Sequence, residues 1–109
     1  MIDINNISRE MIQCYKDVFG RSIIKILLYG SYARGDNNDE SDIDYVAIVH
    51  GDRVELQTKL EALWDSSALI GLKYDVVVSP YIIPEDEYEK RKATLPYYMN
   101  IQKEGIEIG

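Results

Sequence analysis

The sequence predicts an α/β fold, in the α+β sense of a small mixed β-sheet flanked by helices. Two amphipathic helical patterns, at residues 7–19 and 56–64, alternate with short apolar runs that read as strands at 23–29, 42–49 and 72–79. Further helices close the chain, so the order is helix, strand, helix, strand, helix, strand, helices, which layers helices on a sheet. At 109 residues and 46% hydrophobic, the chain supports one compact core, and residues 1–109 are expected to form a single domain.

Each element has a local reason. Ile7, Met11, Tyr15, Val18 and Phe19 recur at helical spacing before Gly20, which marks a C-terminal stop. Strand one leads into Gly30 and Ser31, where a short helical turn capped by Ser31 is expected. Strand two leaves from Asp42. Asp52 can cap a helix in which Leu56, Leu60, Leu63 and Trp64 share one face, with Gly71 at its end. Strand three follows, and the chain is expected to turn after Pro80. Pro84 precedes Glu85, Asp86 and Glu87, with Lys90, Arg91 and Lys92 behind, the charge order a helix dipole favours. Pro96 opens a final short helix with Lys103 in its last turn and Gly105 as its stop.

The chemistry concentrates between strands one and two. Ten residues separate Gly30-Ser31 from Asp42-Ile43-Asp44, so the glycine lies at a strand exit and the aspartates at a strand entrance. Gly30 allows backbone N–H groups to approach an anion, and Ser31 opens a turn whose positive end faces the same anion. Residues two apart in a strand share a face, so Asp42 and Asp44 project together. Two like charges so close repel unless a cation lies between them, and carboxylate oxygens suit Mg2+ or Mn2+. Asp75 is the one acid in the apolar strand-three run; if that strand pairs beside strand two, it becomes a third carboxylate.

Two familiar motifs fail. Gly30 and Gly35 have the spacing of a P-loop, yet Asp36 and Asn37 stand where Lys and Ser or Thr are required. The acidic run from Asp36 departs from a calcium loop, with Ser41 at the glycine position and Ala47 at the glutamate position.

Gly-Ser-Tyr-Ala-Arg-Gly, the ten-residue gap, Ser-Asp-Ile-Asp and the later Asp75 together resemble the DNA-polymerase-β-type nucleotidyltransferase superfamily, and within it the minimal nucleotidyltransferases, or MNT domains. The likeness covers about residues 23–79, and Ile101-Gln-Lys-Glu-Gly-Ile-Glu-Ile resembles their usual ending. It implies two Mg2+ ions, or Mn2+, held by Asp42, Asp44 and Asp75, an ATP or other NTP triphosphate over Gly30 and Ser31 with Arg34 nearby, and attack on the α-phosphorus. MNT domains are typically paired with a helical HEPN ribonuclease. The resemblance therefore implies a protein adenylyltransferase antitoxin that places AMP on a tyrosine of that toxin. A binding module that occludes the HEPN partner, and an aminoglycoside-type small-molecule transferase, are the alternatives. The second is disfavoured, because a single domain of this length is not expected to include the acceptor-holding module of larger relatives.

Composition narrows the partners. A net charge of −7 argues against stable binding to long nucleic acid, because such affinity comes from Lys and Arg neutralising phosphates. The acidic surface suits a basic partner protein and leaves room for a homo-oligomer. Cys14 is the only cysteine, so it reads as a small buried hydrophobe. No membrane-length apolar run or signal peptide is apparent, and the expected location is the cytoplasm.

Several residues have two readings. Arg34 either grips a phosphate or pairs with Asp36 or Asp39. Asp75 is otherwise a strand-edge acid paired to Lys73 or Arg53. Asp36, Asp39 and Glu40 read as solubilising loop charges, and His50 as an ordinary surface residue. The nine tyrosines divide between core and interface, with Tyr97, Tyr98, Met99 and Ile101 forming one apolar cluster.

Overall fold

The computed structural model describes residues 2–38 and 42–109. Asp39, Glu40 and Ser41 lie outside the described residues. The chain forms α1 (Ile4–Phe19), a 3-10 turn (Gly20–Ser22), β1 (Ile23–Tyr29), α2 (Ser31–Arg34), β2 (Ile43–Val49), α3 (Arg53–Tyr74), β3 (Val78–Pro84), α4 (Glu85–Arg91), α5 (Pro96–Glu104) and β4 (Ile106–Glu107). The sheet order is β3-β2-β1-β4, with β2 antiparallel to β1 and parallel to β3, and β4 antiparallel to β1. This is the predicted mixed sheet flanked by helices.

Alternation along β2 divides the molecule. Ile43, Tyr45, Ala47 and Val49 face α1 and α3, where they bury against Ile7, Met11, Tyr15 and Leu63. Val46 and Ile48 face the other way, into a smaller cluster with Leu27, Ile83, Tyr88 and Ile101 under α4 and α5. Polar links fix the larger layer: Tyr15 donates to the Tyr81 carbonyl at 3.0 Å, and the Ser8 and Tyr45 hydroxyls bond at 2.8 Å. Burial holds the Tyr45 phenol in its neutral form, its pKa pushed up to about 12. Cys14 is half-buried beside this core rather than inside it.

Three expectations need correction around α3. Gly71 does not stop the helix; it is buried within the last turn, where a Cβ would come within 2.7 Å of the Val76 carbonyl oxygen. The helix ends instead at Asp75, which adopts a left-handed cap (φ 56, ψ 50) and donates its N–H, as does Val76, to the Gly71 carbonyl. Strand three is consequently displaced to Val78–Pro84, and Pro80 lies inside it rather than at a turn. Proline is tolerated there because β3 is a sheet edge and one side of its backbone needs no partner. Trp64 is the third correction. It is 53% exposed while Leu56 and Leu63 are buried, because its position points beyond the stripe that meets the sheet.

Candidate active site

At the exit of β1, Gly30 turns the chain with φ +74. Its carbonyl accepts from the Ala33 and Arg34 N–H groups at 3.1 Å each, which winds the single turn of α2. Gly30 itself is the N-cap residue and no side chain caps this turn, so the expected Ser31 cap is not made and Ser31 is the first helical residue. Glycine is required at position 30. A Cβ there would overlap Asp44 Oδ2 and lie 3.3 Å from its Cγ, in a backbone conformation that side chains disfavour.

That contact joins the two halves of the motif. Asp44 sits directly opposite Tyr29 on β1 and opposite Ser79 on β3. Asp42 immediately precedes β2, with the next residue, Ile43, held by an N–H bond to the Val77 carbonyl at 2.9 Å. Burial raises the Asp44 carboxyl pKa above its usual value, the Asp42 charge raises it further, and Arg34 opposes both. The structure thus brings Gly30, Ser31, Asp42 and Asp44 to one end of the two central strands.

Arg34 is near but engaged. Its Nε donates to Asp36 Oδ2 at 3.1 Å and its Nη1 lies 3.5 Å from Glu104 Oε2. Surface pairs of this kind contribute roughly 0–1 kcal/mol, so they do not hold the guanidinium against a phosphate. Asp75 is not brought in. It is exposed at the α3 cap, and among the described residues no group of three or more His, Cys, Asp or Glu side chains is placed to hold a metal ion. Its expected partners are taken as well: Lys73 pairs with Glu10 and Arg53 with Glu87. His50 is exposed, 3.4 Å from Glu85 Oε1, as a surface residue would be.

Sequence reasoning missed the aromatic wall beside the carboxylates. Tyr29 and Tyr97 share a hydroxyl hydrogen bond of 3.1 Å, and the Tyr29 ring also meets the Tyr81 ring at 6.4 Å. Burial raises the pKa of the Tyr29 and Tyr97 phenols, and Asp44 adds to the rise in both. A period-two reading of β1 would have put Tyr29 on the face of Leu27, but the 68-residue separation from Tyr97 has no local signal.

The family profile of the nucleotidyltransferase domain matches residues 8–106, a span containing this entire arrangement. The chain belongs to that family. It is a nucleotidyltransferase, and enzymes of this family generally use divalent metals. A Methanocaldococcus jannaschii protein named as a candidate protein adenylyltransferase is 33% identical over 97 residues, covering 89% of each chain. Two solved structures share the fold. One is a toxin–antitoxin with AMP-PNP (TM-score 0.57, 17% identity, 91% of this chain and 69% of that one). The other is a variant of the toxin–antitoxin MntA-HpeT (TM-score 0.56, 16% identity, 94% of this chain and 71% of that one). No helix among the described residues is long and apolar enough to cross a membrane.

Proposed function

We propose that this nucleotidyltransferase moves AMP from ATP to a tyrosine hydroxyl of a HEPN-type ribonuclease toxin, and so acts as its antitoxin. The observation that carries this reading is the packing of Gly30 against Asp44, which makes the phosphate loop and the carboxylate pair one site. The adenylyltransferase relative and the toxin–antitoxin neighbours support the donor and the partner class. The net charge of −7 favours a protein acceptor over long nucleic acid.

Asp42 and Asp44 fit a hard divalent cation, since Asp44 is partly desolvated and carries the like charge of Asp42 beside it. Mg2+, as two ions, is the proposed cofactor, with Mn2+ as a substitute. Bound there, it would neutralise phosphate charge and lower the pKa of an acceptor hydroxyl. The chain's own groups do the positioning. Backbone N–H groups after Gly30 receive the phosphates, Arg34 adds charge beside them, and the acceptor oxygen displaces pyrophosphate in line at the α-phosphorus.

Asp75 stays in the proposed ligand set. To reach the carboxylate pair it would have to leave the α3 cap, where its N–H and that of Val76 bond to the Gly71 carbonyl.

A second reading, a non-catalytic module that occludes the toxin, draws on the absence of a three-carboxylate group among the described residues. One experiment separates the two. Host lysate with Mg2+ is given ATP labelled at the α- or γ-phosphorus, with the wild type beside the Asp42→Asn/Asp44→Asn variant. Transfer predicts α-label on one protein band with the wild type only. No label, with the toxin still captured and neutralised by both proteins, would establish occlusion instead.

A further inference from the structure

A cleft of about 180 Å³ opens beside the phosphate loop, lined by Tyr29, Gly30, Arg34, Tyr97, Asn100 and Glu104 among others. It is too small for a whole nucleotide, since clefts for drug-sized ligands begin near ~300 Å³, but it suits one flat ring system. Because Gly30 belongs to both the loop and the cleft, phosphates over the loop carry their nucleoside toward this opening.

Its walls have the chemistry of a base site. The Tyr97 ring is 48% exposed yet fixed on two sides, by a near-perpendicular contact to Tyr29 (6.3 Å, 88°) and a tilted one to Tyr98 (5.7 Å, 58°). A held aromatic face stacks a base without losing side-chain freedom on binding. Asn100, one turn further along α5, is exposed on the same helix and offers a donor and an acceptor side by side. Adenine presents the complementary pair at N6 and N7. Glu104, one turn beyond, offers only acceptors, which suit ribose hydroxyls and the adenine amine but not the guanine O6. A larger groove of about 720 Å³, lined by Ile4, Ser8, Ile12 and Ile108, lies against the α1 side of the sheet and shares none of these groups.

We infer that the Tyr97–Asn100–Glu104 edge of α5 is the nucleoside subsite, with the base stacked on Tyr97 and adenine selected by Asn100. The inference rests on the nucleotidyl-transfer reading and adds the base to it.

Equilibrium binding of ATP, GTP and inorganic tripolyphosphate, with Mg2+, tests it on the full chain. Tyr97→Ala is expected to weaken ATP roughly 10-fold while leaving tripolyphosphate unchanged, the loss of one stacked base. Tyr97→Phe keeps the ring and should keep the affinity. Asn100→Ala, at an exposed position on α5, removes both the donor and the acceptor and is expected to narrow the preference for ATP over GTP. Equal ATP affinity in wild type and both Tyr97→Ala and Asn100→Ala would overturn the subsite while leaving the transferase reading standing. A wild type that binds none of the three probes would overturn both.

Discussion

The two faces of this sheet are built from the same strands and do opposite work. On the α1 and α3 side, Ile7, Met11, Tyr15, Ile26, Tyr45 and Leu63 are fully buried, and the Tyr15 and Tyr45 hydroxyls are hydrogen-bonded. On the α4 and α5 side, the buried cluster is small and gives way at one end to Asp42, Asp44, Tyr29, Tyr81 and Tyr97. Strand β2 serves both, since alternate residues supply core to one side and carboxylates to the other. The larger buried core lies on one face, and the other carries the repelling charges and the Gly30 turn beside a smaller core.

Four substitutions sharpen that contrast. The proposed ligand role of Asp75 predicts the largest effect, a fall in AMP transfer of about 1000-fold for Asp75→Asn with unchanged thermal stability. Unchanged transfer would remove Asp75 from the site and leave Asp42 and Asp44 alone. Leu63→Ala, on the opposite face, should cost about 3 kcal/mol in urea unfolding while leaving kcat/KM of the folded protein intact. A parallel loss of activity would break the separation of the two faces. Gly30→Ala comes next, because it touches both properties: the new methyl group must push Asp44 aside, so transfer should fall about 100-fold and stability by about 1 kcal/mol.

The smallest effect concerns pH. A folded-state carboxyl pKa raised above its unfolded value means the native state binds the proton more tightly. Asp44 therefore costs no stability below the unfolded carboxylate pKa of about 3.9, and its penalty grows as pH rises from there to the raised folded value and is constant above it. Asp44→Asn should accordingly raise Tm slightly at pH 7 and have no effect near pH 3. Thermal melts at the two pH values check the sign. A drop in Tm at pH 7 would mean that Asp44 stabilises the fold.

Legibility in the sequence followed the range of the interactions. The Gly30-to-Asp44 unit was readable because its parts are local: a strand exit, a turn and a strand entrance, joined by an antiparallel pair. The α4 and α5 boundaries were readable from Pro84, Pro96 and Gly105, which occupy the expected cap positions. The start of β3 was not. Tyr74-Asp75-Val76-Val77 has strand-like composition, yet Gly71 allows the chain to pass close over the helix end, and that tertiary contact prolongs α3 through Tyr74. The two-residue strand β4 is too short for any periodicity and exists because β1 offers it an edge. The tyrosine wall escaped for the same reason, since Tyr29, Tyr81 and Tyr97 meet only once three separate elements have packed.

The most direct test of a single metal–nucleotide site is Mn2+ binding followed by electron paramagnetic resonance, with and without ATP, in wild type and Asp42→Asn/Asp44→Asn. A site shared by the Gly30 loop and the carboxylate pair predicts that ATP strengthens Mn2+ binding to the wild type and that the double variant loses this gain. Equal Mn2+–ATP binding by the two proteins would contradict it, and would place the nucleotide elsewhere on the molecule.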